Sequence, residues 1–270
     1  MTVLPNVSYI TNSADPRVSL YRNLRDHALA KRYGLFLVEG EFLIKRTLDS
    51  DYEIESVFVS QKRLPRISAW IPENMILYTA SEDVLSEIVG FHFHRGVLAL
   101  VRRKSLLTDE TFFKTTSEIK RVLVLPEINN AENLGLILRS AAGLGFSCVL
   151  LGPSCCDPFS RRALRTGMGA SLRLVLIQCC DLQTILHRLH DRNMSIHAAA
   201  LTDHAYFLHE VQPPEKVALV LGPEAYGLPE WILHQSDCIV KIPMQNETDS
   251  LNVGVAAGIL MYHYAGMTLI

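Results

Sequence analysis

From Arg121 to the last residue the chain alternates short apolar runs with helix-like segments, and this alternation limits the possible folds more than any other feature of the sequence. The runs are Val122–Leu125, Cys148–Leu151, Leu174–Ile177, Met194–Ala199, Lys216–Leu221 and Cys238–Ile242. Most of these runs are apolar without alternation, so the strands are buried on both faces. Strands of that kind, separated by helices, predict an α/β unit with a mostly parallel sheet and helices on both faces. Helices are expected from Leu134, from Leu182 and from Leu251.

The first hundred residues read differently. A basic helix over 17–31, strands over 35–39, 53–60, 75–79 and 96–101, and helices over 41–49 and 81–88 predict a small α+β domain. Polar residues from 105 to 119 form the expected linker. The predicted domains are therefore 1–104 and 120–270. At 270 residues, with 49% hydrophobic and 20% charged residues, the chain can bury two ordinary cores.

Composition sets limits on function. A net charge of −2 gives no global attraction to nucleic acid, so any such case must rest on local patches. The six cysteines lack CxxC spacing and read as reduced thiols. The ten histidines, including His92 and His94, show no third ligand at recognisable spacing, and no metal is expected. Residues 1–15 lack the features of a signal peptide, which predicts a cytoplasmic protein. Ser250–Ile270 carries no Asp, Glu, Lys or Arg, but its glycines, Asn252 and His263 and the missing basic flank favour a buried helix over a membrane span. The G-x-G-x-x-G turn of dinucleotide-binding sheets and the P-loop are both missing, which disfavours an oxidoreductase or NTP site.

Three segments carry chemistry. In Asn133-x-Gly135-x-x-x-Arg139 the stripe Leu134, Ile137, Leu138, Ala141 and Ala142 packs on the sheet. Arg139 lies off that stripe and leans back over Gly135, toward a helix N-terminus capped by Asn133, which makes an anion site. In the second segment the strand ending at Leu221 runs into Gly222-Pro223-Glu224. In the third, the strand ending at Ile242-Pro243-Met244 leads to Ser250-Leu251-Asn252, where Ser250 or Asp249 caps the last helix. Two strand ends and one helix start then converge on a pocket lined by Leu221, Ile242, Met244 and Leu251, suited to an adenine and a ribose without phosphates.

In this order, the three segments resemble the signature motifs of the SpoU (TrmH-type) RNA ribose methyltransferases. The resemblance runs from about Leu123 to the C-terminus. It implies a deep trefoil knot, a homodimer, S-adenosylmethionine as methyl donor and the ribose 2′-hydroxyl of rRNA or tRNA as acceptor. Around the reacting hydroxyl it places Arg139, Asn133, Glu224, Ser250 and Asn252, and at the cofactor it places Leu201, Gly222 and the pocket residues above. The segment Ser160–Ala170 resembles a family stretch that faces the substrate, so Arg161, Arg162 and Arg165 are candidate RNA contacts, with Arg22 and Arg25 in the front unit. Phe36–Gly40 and Arg95–Ala99 in turn look like the small substrate-binding domain of these enzymes. The chain departs from the family pattern at Pro223, Ala225 and Asn130-Ala131, which keeps open the alternative of a non-catalytic RNA-binding protein on the same fold.

Overall fold

A computed structural model describes residues 7–22, 26–90, 93, 95–108, 110, 113, 119–223, 226–246 and 250–265. The chain divides into two compact units. Met1–Ser105 with Phe159–Arg165 forms one, and Leu106–Pro158 with Thr166–Ile270 forms the other.

The first unit is built on a five-stranded mixed sheet of β1 (Val7–Tyr9), β2 (Leu35–Glu39), β3 (Ile54–Ser60), β4 (Leu77–Ala80) and β5 (Val97–Arg102), ordered β1-β4-β3-β5-β2. The β1–β4 and β4–β3 pairings are parallel; β5 is antiparallel to β3 and β2. The helix expected over 17–31 is broken. A 3-10 turn, Pro16–Tyr21, is capped by Asp15, and Arg22 leaves it in an extended conformation (ψ 136°). A short α1 (Asp26–Ala28) then runs into a π-helical turn, Leu29–Tyr33, which Gly34 ends at φ +63°. The other helices of this unit are α2 (Glu41–Leu48), α3 (Leu64–Ser68) and α4 (Glu82–Val89). As the sequence predicts, Ser81 caps α4, its hydroxyl accepting from Val84 N–H at 3.3 Å. Tyr21 is fully buried and donates to Ser56 O at 3.0 Å, which ties the 3-10 turn to β3.

Among the described residues the second unit holds eight strands: β6 (Leu107–Thr108), β7 (Arg121–Leu125), β8 (Cys148–Leu151), β9 (Val175–Gln178), β10 (Ser195–Ala199), β11 (Tyr206–Phe207), β12 (Val217–Leu221) and β13 (Cys238–Lys241). Their order is β11-β13-β10-β12-β7-β8-β9-β6, and every described pairing is parallel. The stretch read as a linker thus contributes β6. The helices are α5 (Ala131–Gly143), α6 (Arg161–Thr166, most of which clusters with the first unit), α7 (Leu182–His190), α8 (Glu230–His234) and α9 (Val253–Ala265).

Burial explains the sheet. Val122, Val124, Leu150, Ala218 and Val220 pack in one cluster with Ile185, Leu186 and Leu189 of α7 and Ile232 of α8. Alternate residues Leu123, Leu125, Val149 and Leu219 are equally buried, so both faces are covered. The last helix packs on α5 and touches β12 and the turn Leu208–Glu210. Such enclosure is what a tucked C-terminal segment requires. Arg121 of β7 donates from Nε to Tyr264 O (3.0 Å) and from Nη2 to Ala265 O (2.7 Å), satisfying carbonyls at the end of α9.

Chain order reverses between β7 and β12, which are neighbours in the sheet although β8 and β9 lie to one side and β10 and β13 to the other. The loops after β7 and β12 therefore diverge and leave a crevice at the carboxyl ends of the strands. Among the described residues no helix is long and apolar enough to cross a membrane, and no group of three His, Cys, Asp or Glu could hold a metal. His92 and His94 lie outside the described residues.

Candidate active site

A cavity of about 330 Å³ opens at the carboxyl ends of β10, β12 and β13. Its walls include Leu201, Leu221, Gly222, Ile242, Met244 and Leu251, the six residues expected at a cofactor, together with Ser250 and, from α9, Ala256 and Leu260. Leu201 stands at the rim, 63% exposed. Lys241 also lines the cavity, yet its ammonium donates to Thr202 O at 3.0 Å and lies over the Phe207 ring at 5.2 Å. Its ammonium is thereby turned toward the protein, and apart from Tyr226 and Ser250 the remaining walls are apolar side chains and backbone. Gly222 has a further reason to lack a side chain: a Cβ there would stand 2.9 Å from Leu228 Cγ and 3.0 Å from Gly227 C. The loop folds back on itself only because residue 222 is glycine.

A second, smaller pocket of about 120 Å³ lies in the crevice between β7 and β12. Ile128, Asn129, Asn130 and Asn133 line it from one side and Pro223, Tyr226 and Val253 from the other, and these last three also line the larger cavity. The two spaces share a wall.

The helix at this wall begins earlier than expected. Asn130, not Asn133, is the cap of α5: its Oδ1 accepts from Glu132 N–H (2.8 Å) and Asn133 N–H (3.3 Å). Asn133 is thereby placed in the first turn with its side chain available to another element. Asn252 Nδ2 donates to Asn133 Oδ1 at 3.0 Å, and Asn252 Oδ1 accepts from Gly254 N–H at 3.0 Å. Asn252 thus caps α9, in place of the expected Ser250, while Asp249 lies outside the described residues, and Asn252 joins the starts of the two helices across 119 residues of sequence. Helix contact is close here. A Cβ on Gly254 would meet Leu136 Cβ at 3.0 Å.

These are the segments that a family model matches: residues 120–262 fit the SpoU rRNA Methylase family, and residues 15–99 fit the MRM3-like substrate binding domain. The chain belongs to the SpoU family. It is 34% identical over 265 residues to an uncharacterized tRNA/rRNA methyltransferase of Mycobacterium bovis, covering 95% of this chain and 91% of that protein. Among solved structures it is similar to an RNA 2′-O ribose methyltransferase (28% identity, TM-score 0.76, 95% of this chain and 98% of the other). It also shares the fold of the AdoMet-bound rRNA methyltransferase of Sinorhizobium meliloti (20% identity, TM-score 0.80, 96% and 97%).

Of the SpoU motif residues, Asn133, Ser250 and Asn252 come together at the two spaces, while Glu224 lies outside the described residues. Arg139 is exposed and lines neither space. Six residues separate it from Asn133, roughly 9 Å along the helix axis. Gly135 is buried and not the open surface expected, and Ala142 is exposed although the stripe put it inside. The RNA candidates divide. Arg22 Nε and Nη2 donate to Ser13 O (2.8 Å) and Asp15 O (2.7 Å), and Arg161 pairs with Asp26 at 3.3 Å. Arg162 and Arg165 are exposed, and Arg25 lies outside the described residues.

Sequence reasoning missed Asn130, Tyr226 and Glu127. Asn130 carried a signal, a cap-type residue just before the helix. Tyr226 stands between Pro223 and Gly227 in the turn after β12, 68% exposed, with its hydroxyl bonded to Glu127. That carboxylate holds the phenol pKa above its ordinary value, with partial desolvation acting in the same direction. Nothing local in the sequence marks that pair.

Proposed function

We propose that this SpoU-family chain is an S-adenosylmethionine-dependent RNA methyltransferase that acts on a ribose 2′-hydroxyl of rRNA or tRNA and works as a homodimer. The observation that carries the reading is the shared wall: an apolar strand-end cavity meets a smaller polar pocket at Pro223, Tyr226 and Val253, beside the Asn133–Asn252 bond. The likeness to an RNA 2′-O ribose methyltransferase, 28% identical, supports the reaction class.

The larger cavity fits S-adenosylmethionine chemically. Apart from Tyr226, Lys241 and Ser250 its walls are apolar side chains and backbone, and it offers no phosphate-binding glycine loop, which suits an adenine and a ribose without phosphates. When bound, this group supplies a sulfonium methyl. The chain's own task is to hold the 2′-oxygen in line with it, a positioning problem that suits fixed amides. Asn133, held by Asn252, presents a fixed polar edge to the smaller pocket. Ser250, two residues before Asn252, reaches the larger one.

A guanidinium does not serve as a general base in proteins, so the role of Arg139 is to clamp a phosphate and stabilise the developing alkoxide, with the hydroxyl proton leaving to a phosphate oxygen or water. Glu224 completes the motif set. The first unit serves as an RNA substrate-binding domain and the second, which takes in β6 from the stretch 105–119, as the methyltransferase domain, with Arg22, Arg25, Arg161, Arg162 and Arg165 as candidate RNA contacts. Reduced thiols and an RNA substrate fit work in the cytoplasm.

Homodimerisation is supported by an unpaired apolar stripe. On α9, Val255 (50%), Ile259 (40%) and Tyr262 (59%) are exposed at helical spacing while the opposite face is buried, and Leu136 of the adjoining α5 is 37% exposed.

The test is to incubate the protein with total RNA and methyl-labelled S-adenosylmethionine and then hydrolyse with alkali. Label in alkali-resistant dinucleotides is the expected result, because a 2′-O-methyl group blocks the attacking hydroxyl. Label confined to mononucleotides, or no label with every RNA fraction despite cofactor binding, rejects the reading.

A further inference from the structure

Among the described residues that line the two pockets of the second unit, Tyr226 alone carries an aromatic ring, and it lines both. The exposed rings of Tyr206, Phe207 and Tyr262 line neither. Methyl transfer has to join the two spaces through their common wall. A ring that stands in that wall, 68% exposed, meets what occupies them.

Backbone and side chain both hold this ring. Gly227 N–H donates to Pro223 O at 3.1 Å and closes the turn after β12, with Gly227 at φ +69° in the left-handed region. Leu228 is buried in the core cluster that holds Val220 and Ile232, which anchors the turn from behind. Tyr226 is left outside that core, and its hydroxyl donates to the carboxylate of Glu127 in the loop after β7. The bond thus crosses the crevice from one loop to the other. It satisfies the phenol, so the faces of the ring are what remains for a ligand.

Size decides which part of a nucleotide goes where. The smaller pocket, about 120 Å³, is well below the roughly 300–1,000 Å³ of sites that enclose a whole small molecule. Asn129, Asn130 and Asn133 line it with amides, which suit the hydroxyls of one sugar. A base joined to that sugar lies outside, beside the wall where Tyr226 stands. The described residues that line this pocket include no Lys or Arg, and a carboxylate holds the phenol, so the place suits a neutral base better than a phosphate. Proteins that read unpaired RNA bases lay them on aromatic rings of this kind.

We propose that Tyr226 is the stacking platform for the base of the nucleotide whose 2′-hydroxyl is methylated, that this base is unpaired when it binds, and that Glu127 positions the ring. The proposal rests on the methyltransferase reading above.

The experiment titrates the full chain with in vitro transcribed, unmodified ribosomal and transfer RNA at several salt concentrations, and with S-adenosylmethionine in parallel. The proteins are wild type, Tyr226→Ala, Tyr226→Phe, Tyr226→Trp, Glu127→Ala, Glu127→Gln and Glu127→Ala/Tyr226→Phe, each checked for folding by circular dichroism melts. Tyr226→Ala should weaken RNA binding about tenfold or more, as loss of one stacked base predicts. The slope of log K against log salt should not change, because no phosphate contact is lost. Tyr226→Phe and Tyr226→Trp keep a ring and should recover affinity to within about fivefold of wild type. Glu127→Ala should cost about threefold alone and nothing further in Tyr226→Phe, where its bond is already missing, and Glu127→Gln, whose amide oxygen still accepts, should recover that loss. The RNA KM for methyl transfer should follow the same order. Removal of the base at the labelled nucleotide should weaken binding to wild type about tenfold and to Tyr226→Ala hardly at all. Affinity for S-adenosylmethionine should move far less than affinity for RNA. Three outcomes overturn the proposal: wild-type RNA binding by Tyr226→Ala, a Tyr226→Phe as weak as Tyr226→Ala, or a loss that falls on S-adenosylmethionine instead. The first removes the platform, the second reduces the ring to its bond with Glu127, and the third gives it to the cofactor. Wild type that binds none of these RNAs overturns the platform too. Wild type that binds RNA and labels none strikes the methyltransferase reading, while the dependence of RNA binding on the ring still decides the platform.

Discussion

At the scale of single residues, the amide pair Asn133–Asn252 decides how the site is held. Asn252 serves two partners with opposite ends of one side chain, giving Nδ2–H to Asn133 Oδ1 and taking Gly254 N–H at Oδ1. Asn252→Asp separates the roles. A carboxylate still caps α9 but presents an acceptor to an acceptor, so methyl transfer should fall about 10²–10³-fold while the melting temperature holds. Asn252→Ala should lose activity and also about 1 kcal/mol of stability with the cap. Steady-state methyl transfer and thermal melts of the two variants check this pair of outcomes. Arg139 is tested differently, because it lines neither cavity. Arg139→Ala should abolish turnover and leave the dissociation constant for S-adenosylmethionine unchanged, and Arg139→Lys should rescue little because the planar fork is lost. Undiminished methylation by Arg139→Ala would remove this residue from the mechanism.

At the scale of elements, α9 is pinned at its start by Asn252, at its end by Arg121 and between them by Tyr264, whose hydroxyl lies 2.7 Å from His197 Nδ1 in β10. His197 Nε2 lies 3.1 Å from Ser195 Oγ, so a neutral ring accepts from the phenol and donates to the serine. Burial pulls the His197 pKa below its ordinary 6.5, with His263 adding to the effect and Asp237 opposing it. The unfolded chain therefore takes up a proton that the folded chain refuses. Stability from this site is complete above about pH 6.5 and is lost as the pH falls below it. Urea midpoints measured from pH 7.5 to 5 should drop, and His197→Gln should flatten that drop while lowering the midpoint at pH 7.5. None of this latch was legible in the sequence, since residues 197 and 264 meet only through tertiary packing. By contrast, β2 and β8 fall on the residues predicted, because unbroken apolar runs between turn residues leave little choice. α2 and α7 start at Glu41 and Leu182 as predicted, whereas the starts of α5 and α9 moved by three and two residues; at α5 several cap-type residues stand in a row and only packing selects Asn130 over Asn133.

At the scale of the whole molecule, the sequence announces parallel strands but not their order, since each apolar run fits beside any other. Nor does it show that β12 lies beside β7, the adjacency that opens the crevice and creates the shared wall of the two pockets. What the sequence does show is that the last helix is apolar all round, and a helix of that kind must be covered on every side. One side packs on α5 and β12; the other presents Val255, Ile259 and Tyr262. A second copy brought to this stripe by two-fold symmetry would cover it with the same stripe, the commonest closed arrangement for a self-complementary patch. Because Leu136 and Arg139 are both exposed on the adjoining α5, such pairing would set Arg139 near the junction of the copies. Ile259→Lys places an unpaired charge at the centre of that contact while changing nothing that lines either pocket. Sedimentation equilibrium should give a dimer for wild type and a monomer for Ile259→Lys. The monomer should still bind S-adenosylmethionine within a few-fold and yet lose methyl transfer, as expected if Arg139 acts across the junction. A monomeric wild type, or a monomeric variant with full activity, rejects the dimer as the working form.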